Sequence, residues 1–188
     1  MSNRLIHYFL ASQANSLYVP PMEKSKKACF TMVMGLPRSG KSTWVRKNAK
    51  DALIVCPDEI RMEIFGHEFF KPAEEFVWAA AKMVVRLALM QKMSVFLDAT
   101  NVNYATRYPW LKMAKELGAS TRVVHIATPL KECLKRNDDC TRMGARSVPQ
   151  GVIEGMAAMT GVVGADEADK VMTVRFSRTK VKRTRRDK

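Results

Sequence analysis

Residues 35–43 read Gly-Leu-Pro-Arg-Ser-Gly-Lys-Ser-Thr, which fits G-x-x-x-x-G-K-[ST]. An apolar, β-prone run, Cys29 to Met34, precedes them, and a run able to be helical, Ser42 to Ala49, follows. A glycine-rich turn between strand and helix aims backbone N–H groups inward, where phosphate oxygens can sit. In that geometry Gly35, Pro37, Arg38, Ser39 and Gly40 wrap the phosphates. Lys41 reaches the β- and γ-phosphates, Ser42 holds Mg²⁺, and Thr43 closes the loop. A chance match in a glycine-containing turn would lack the flanking strand and helix. The expectation is a nucleoside triphosphate site.

Phosphoryl transfer needs few further parts: cations on the phosphates, a metal-side carboxylate, and a base for the acceptor hydroxyl. Asp98 ends the apolar run Val95-Phe-Leu97, where a Mg²⁺-side carboxylate belongs. Its bland reading is a helix N-cap. Asp58, in Cys56-Pro-Asp-Glu-Ile-Arg61, can accept the proton of an attacking hydroxyl. Arg61, three residues on and on the same helical face, can hold an acceptor phosphate. The bland reading is a capping Asp with a solvated Arg. Glu59 competes with Asp58, but its side chain points elsewhere on the turn. Arg136, Arg142 and Arg146 form a cluster that can close over a triphosphate and supply charge to the transition state. Asp138 and Asp139 stand among them, and a solvated basic loop is the alternative.

These residues need a frame. Strand signals at Cys29–Met34, 52–56, 94–97, 122–127 and 170–176 alternate with helical ones. Pro72-Ala-Glu-Glu75 suits a helix start, and Phe76, Ala80, Met83, Leu87 and Met90 recur at helical spacing, which predicts that they form its buried face. A helix to about Leu117 contains Pro109, so it either starts near Thr106 or kinks. Pro129 and Pro149 each open a further helix, and residues 138–148 between them read as a polar, mobile stretch with Gly144. Alternating strands and helices predict βαβ units and a parallel sheet covered by helices. Ligands in such sheets sit beyond the carboxyl ends of the strands, so the loop, Asp58, Asp98 and Thr128 should converge on one rim.

The chain has 188 residues and a formal charge of +14. Half of that charge lies in Arg175–Lys188, where eight Lys or Arg face one acid. Such a tail attracts polyanions or serves as a solvated end. Residues 1–28 read as an extension, 29–176 as the catalytic domain and 177–188 as a basic tail. No apolar run approaches the ~20 residues of a membrane span. The four Cys form no C-x-x-C pair, and His7, His67 and His125 lack metal-ligand spacing, so a reducing cytoplasm is expected. Trp44, Trp78 and Trp110 lie in helical patterns and read as packing residues rather than base-stacking platforms.

Taken in order, the phosphate loop with Trp44, Pro57-Asp-Glu-Ile-Arg61, Asp98-Ala-Thr-Asn101, Leu134-Lys-Arg-Asn137, Arg142, Arg146 and Val148-Pro149 resemble the kinase domain of bacteriophage-type polynucleotide kinases. The resemblance covers roughly residues 29–160. It implies an α/β P-loop kinase fold, a parallel sheet of four to five strands flanked by helices, with an Arg-rich lid. It also implies transfer of the ATP γ-phosphate, with Mg²⁺, to a 5′-hydroxyl end of DNA or RNA. Asp58 then matches the general base and Arg61 the acceptor-phosphate ligand. Thr100 and Asn101 fall on the acceptor side, Asp98 closes the third strand, and Arg142 or Arg146 is the lid arginine. No D-x-D-x-T phosphatase motif is present. The rival readings are a kinase of a small alcohol on the same fold and a nucleic-acid-binding protein that uses ATP as a switch.

Overall fold

The computed structural model describes residues 27–66, 69, 71–143 and 147–176. The expected extension up to residue 26, His67, Gly144, Arg146 and the basic tail lie outside the described residues. Five parallel strands form one sheet in the order β2-β3-β1-β4-β5: β1 (Cys29–Met34), β2 (Leu53–Val55), β3 (Val95–Asp98), β4 (Ser120–Ala127) and β5 (Lys170–Arg175). Six α-helices are described: α1 (Lys41–Asn48), α2 (Pro57–Phe65), α3 (Glu74–Met90), α4 (Tyr104–Glu116), α5 (Leu130–Arg142) and α6 (Gln150–Ala158). The expected α/β class with a parallel sheet holds, and the strand count is five.

β1 sits at the centre and is buried on both faces, which explains why Phe30 to Met34 reads as a nearly unbroken apolar run. Alternation divides its side chains. Phe30, Met32 and Met34 join Val55, Leu97 and Val123 in a core with α3 and α4. Val33 joins Val124 and Ile126 in a second core under Val45 and Ala49 of α1. Both cores hold the central strands rigid, so their carboxyl ends form a fixed rim.

α3 presents the opposite face to the one its large residues suggest. Phe76, Met83, Leu87 and Met90 are exposed, with Met83 at 59 %, whereas Val77, Ala81, Val85, Ala88 and Leu89 are buried, with Val85 at 0 %. The helix is apolar almost all round, so spacing could not select a face. Close approach to the sheet did, and it favours the small and β-branched residues. α4 begins at Tyr104, two residues before the later of the two starts that Pro109 allowed. The Asn103 side chain accepts from the Thr106 N–H at 2.9 Å, and Pro109 is accommodated inside the helix. α5 extends to Arg142, so residues 138–142, expected in a mobile stretch, are helical.

One buried ion pair ties the segment before β5 to the rim. The Arg107 side chain is 0 % exposed; its Nε and Nη2 donate to the two oxygens of Glu167 at 2.7 and 2.9 Å. Its Nη1 donates to the Asn101 and Val102 carbonyls at 3.3 and 3.1 Å. The hydrogen bonds from Arg107 hold the Glu167 carboxyl below the usual range.

Two outcomes follow. Val85→Asp should cost about 3 kcal/mol or more in urea unfolding, whereas Met83→Asp should stay within about 0.5 kcal/mol; equal losses would return the buried face to the Met83 stripe. Glu167→Gln strands a buried guanidinium and should cost about 3 kcal/mol at neutral pH. A depressed carboxyl stabilises above its unfolded value of about 4.5 and loses that contribution as pH falls through the lower folded value. The wild type should therefore weaken more steeply than Glu167→Gln between about pH 5 and pH 3.

Candidate active site

The loop between β1 and α1 is built around two glycines. A Cβ at Gly35 would lie 2.8 Å from the Ile126 carbonyl oxygen and 2.8 Å from Ser39 Oγ, so no side chain fits there. Gly40 caps α1 with φ 101°, a conformation L side chains rarely adopt. Arg38 takes φ 64°, a left-handed conformation uncommon for a non-glycine residue and found where function dictates the backbone. Ser39 is buried, and its Oγ meets no hydrogen-bond partner among the described residues. A buried orphaned hydroxyl in a glycine-built loop between strand and helix fits a phosphate cradle.

Lys41 is buried, and its Nζ donates to the Leu36 carbonyl at 2.8 Å. Burial lowers its pKa, while Asp98, and more weakly Asp58, favour the charged form. Asp98 ends β3, with the Ser42 hydroxyl close enough to favour its charged form. Burial raises its pKa; Ser42 and Lys41 oppose the rise. The chain thus brings Lys41, Ser42, Asp98 and Asp58 together on one rim. Thr128, after β4, joins them: its hydroxyl donates to the Ser39 carbonyl at 2.8 Å. Among the described residues no cluster of three His, Cys, Asp or Glu forms a metal cage. One carboxylate and one hydroxyl beside a phosphate cradle still suit Mg²⁺, a hard cation that takes its remaining ligands from phosphates and water.

On the acceptor side, Pro57 opens α2 behind the extended Cys56, which puts Asp58 in the first turn at the rim. Arg61 is 3 % exposed rather than open to solvent. Its Nη1 donates to Asp58 Oδ1 at 2.6 Å, and its Nε and Nη2 donate to both oxygens of Glu74 at 2.6 and 2.9 Å. The expected phosphate ligand is therefore engaged by two carboxylates and fixes the direction of the Asp58 side chain. Glu74, the first residue of α3, escaped the sequence reading because it looked like a dipole-friendly helix start. Glu59 turns to Arg46 instead, at 3.9 Å.

Thr100 and Asn101 brace the rim. The Gly35 N–H donates to the Thr100 carbonyl at 3.0 Å, and the buried Asn101 amide donates to the Val33 carbonyl at 2.8 Å. Asn101 thus meets the backbone of β1 with its side chain, where an acceptor contact was expected. Arg136 stands at the loop, its Nη1 donating to the Arg38 and Ser39 carbonyls at 3.1 and 3.3 Å. Arg142, six residues on, falls about 120° round the helix. Its side chain is 78 % exposed with Asp139 at 3.8 Å, so α5 presents Arg136 rather than Arg142 to the phosphate loop. Asn137, named in sequence only as part of the resemblance and given no role, exchanges hydrogen bonds of 2.8 and 2.9 Å with the Val148 backbone.

Comparison with known proteins agrees with this geometry. Residues 30–161 match the AAA_33 family, described as an AAA domain, and the chain belongs to that family. Its fold is that of P-loop kinases. The L-seryl-tRNA(Sec) kinase of Methanococcus maripaludis is 30 % identical over 132 residues, which are 66 % of this chain and 49 % of that protein; the chain spans about half the length of that curated relative. A chain in the structure of the Pnkp1/Rnl/Hen1 RNA repair complex superposes with TM-score 0.65 at 22 % identity, covering 73 % of this chain and 45 % of its own. The Mycobacterium tuberculosis APS kinase CysC gives TM-score 0.55 at 21 % identity, covering 79 % and 90 %. At these identities the two structures speak for the fold. Among the described residues no helix is long and apolar enough to cross a membrane.

The Arg61 clamp is testable. Glu74→Gln should lower kcat by about 10- to 100-fold with the KM for ATP unchanged, because it loosens Asp58 and leaves the phosphate loop intact. Glu74→Asp should recover part of the loss. A wild-type kcat in Glu74→Gln would remove Glu74 from the positioning of Asp58.

Proposed function

We propose that the protein is an ATP- and Mg²⁺-dependent polynucleotide 5′-hydroxyl kinase. The observation that carries this reading is the placement of Asp58: it stands in the first turn of α2, directly after β2 and beside the strand that ends in Asp98, and Arg61 holds it there at 2.6 Å. A carboxylate held by Arg61 on the rim that carries the phosphate loop suits a transferase and has no use in a passive nucleotide switch. Asp58 takes the proton of the 5′-hydroxyl as the oxygen attacks the γ-phosphorus. The bond from that phosphorus to the β–γ bridging oxygen breaks, and ADP departs. Lys41, with Arg136 and an arginine of the lid, offsets the charge that builds on the transferred group. Mg²⁺, held by Ser42 and Asp98, would neutralise phosphate charge when bound.

Two further observations support a nucleic-acid acceptor. The charge of +14 suits a polyanion, and a small alcohol needs none of it. The 30 % identical relative is itself named as a kinase of a tRNA-borne group. That relative also favours a second reading, in which the acceptor alcohol is carried on RNA but is not its 5′ end.

The test is transfer of label from γ-labelled ATP to a panel of 5′-OH DNA and RNA oligonucleotides, charged and uncharged tRNA, nucleosides and sugars. Labelling of the oligonucleotide 5′ ends is expected. Labelling of charged tRNA alone would favour the second reading, and labelling of small alcohols alone would end both. Asp58→Ala should lower kcat by about 10²- to 10⁴-fold while ATP still binds. Lys41→Ala should lose about 10²-fold or more.

A further inference from the structure

The exposed residues of α3 and α4 that the core does not use are arranged in a particular way. Both helices begin on the acceptor side of the rim, α3 at Glu74 beside Asp58 and Arg61, and α4 at Tyr104 just past the loop that follows Asp98. They run down the same face of the sheet and enclose an open groove of about 670 Å³. Lys82, Met83 and Arg86 line one wall, and Tyr108 and Lys112 the other. Aromatic rings continue the groove toward the rim. Tyr104 lies against Tyr108 with ring centroids 5.5 Å apart, and Trp78 meets Trp110 edge-on at 6.3 Å. Tyr104, Tyr108 and Trp78 are 54 %, 47 % and 36 % exposed, so their rings are available to a ligand. Trp78 packs on Trp110, as expected, and leaves part of its ring exposed. Three cations line the groove against one acid, Glu116, which Lys112 approaches to 4.0 Å.

We propose that this groove is the track for the acceptor strand behind its reacting end. Its occupant is single-stranded nucleic acid, with phosphates on Lys82, Arg86 and Lys112 and bases on the exposed rings. The proposal rests on the polynucleotide reading above and assigns the part of the surface that makes the acceptor long. Cations interleaved with exposed aromatic rings suit single strands: the cations follow the backbone, and the rings stack any base without reading its sequence. The excess positive charge argues against an apolar helix as occupant, although Met83 gives the groove some apolar floor. Lys82 lies eight residues along α3 from Glu74, about 12 Å down the helix. At 3.4 Å per nucleotide, the groove starts about three to four nucleotides behind the 5′ end.

The variants are Lys82→Ala/Arg86→Ala/Lys112→Ala and, separately, Tyr108→Ala. All four residues are exposed and outside the catalytic constellation, and ATP binding with circular dichroism confirms folding. With a 5′-OH strand of about twelve nucleotides, the triple variant should raise KM by about tenfold or more. It should also reduce the slope of log affinity against log salt by about 2, since each single-strand phosphate contact contributes about 0.7. Tyr108→Ala should raise the same KM by about fivefold or more. With a 5′-OH dinucleotide, too short to reach the groove, KM and kcat should match the wild type for both variants. If the wild type labels the long strand and the triple variant keeps its KM and salt slope, the groove proposal falls and the kinase reading stands. If the wild type labels no oligonucleotide, the kinase reading falls first and the track with it. A wild-type dimer in sedimentation that Met83→Asp dissociates would give the groove to a second copy and overturn the proposal.

Discussion

A buried ammonium governs this molecule. Lys41 stands at the start of α1 with little solvent around it, and burial pushes its pKa down. Asp98, at the end of β3, opposes that shift, and the Leu36 carbonyl receives one of its N–H groups. That arrangement works only if β1 and β3 lie side by side with their carboxyl ends level, as the pairing of Val33 with Asp98 provides. The sheet order is thus bound up with the electrostatics of the site. The same rim receives Thr128 from β4 and Asp58 from the turn after the edge strand β2, so β2, β3 and β4 each deliver one polar group to one place.

Rigidity on the acceptor side comes from two guanidinium groups withdrawn from solvent. Arg61 fastens Asp58 to Glu74, and Arg107 fastens the loop after β3 to Glu167. Buried ion pairs add little net stability compared with apolar packing, because desolvation offsets much of the attraction. Their directionality is what the site uses. Each planar fork fixes a carboxylate and a neighbouring backbone or side chain in one geometry, which a methyl group could not do. The Asn101 and Thr100 contacts carry that order on to the phosphate loop through Val33 and Gly35.

Much of the frame was legible because its signals are local. A glycine is needed where a Cβ would strike Ile126, and the strand and helix around it follow from short apolar and helix-compatible runs. The failures have local causes too. α3 is apolar on nearly every side, so its period could not say which residues meet the sheet. Pro109 argued for a later start to α4, yet the Asn103 cap sets the start at Tyr104. Arg61 and Arg142 were read from their charge. Whether a guanidinium faces solvent, a carboxylate or a phosphate depends on residues brought up from elsewhere in the chain, such as Glu74, and on which side of α5 meets the loop.

The sequence by itself determined the phosphate loop, the alternation of strands and helices, and the polar residue that ends or follows each central strand, because each depends on neighbours a few residues away. Only the tertiary structure decided which face of α3 is buried, that Arg136 is the α5 arginine at the loop, that Glu74 and Glu167 neutralise buried arginines, and that α3 and α4 leave a basic, aromatic groove between them. Those outcomes depend on distance and desolvation between segments far apart along the chain, which spacing in one dimension does not encode.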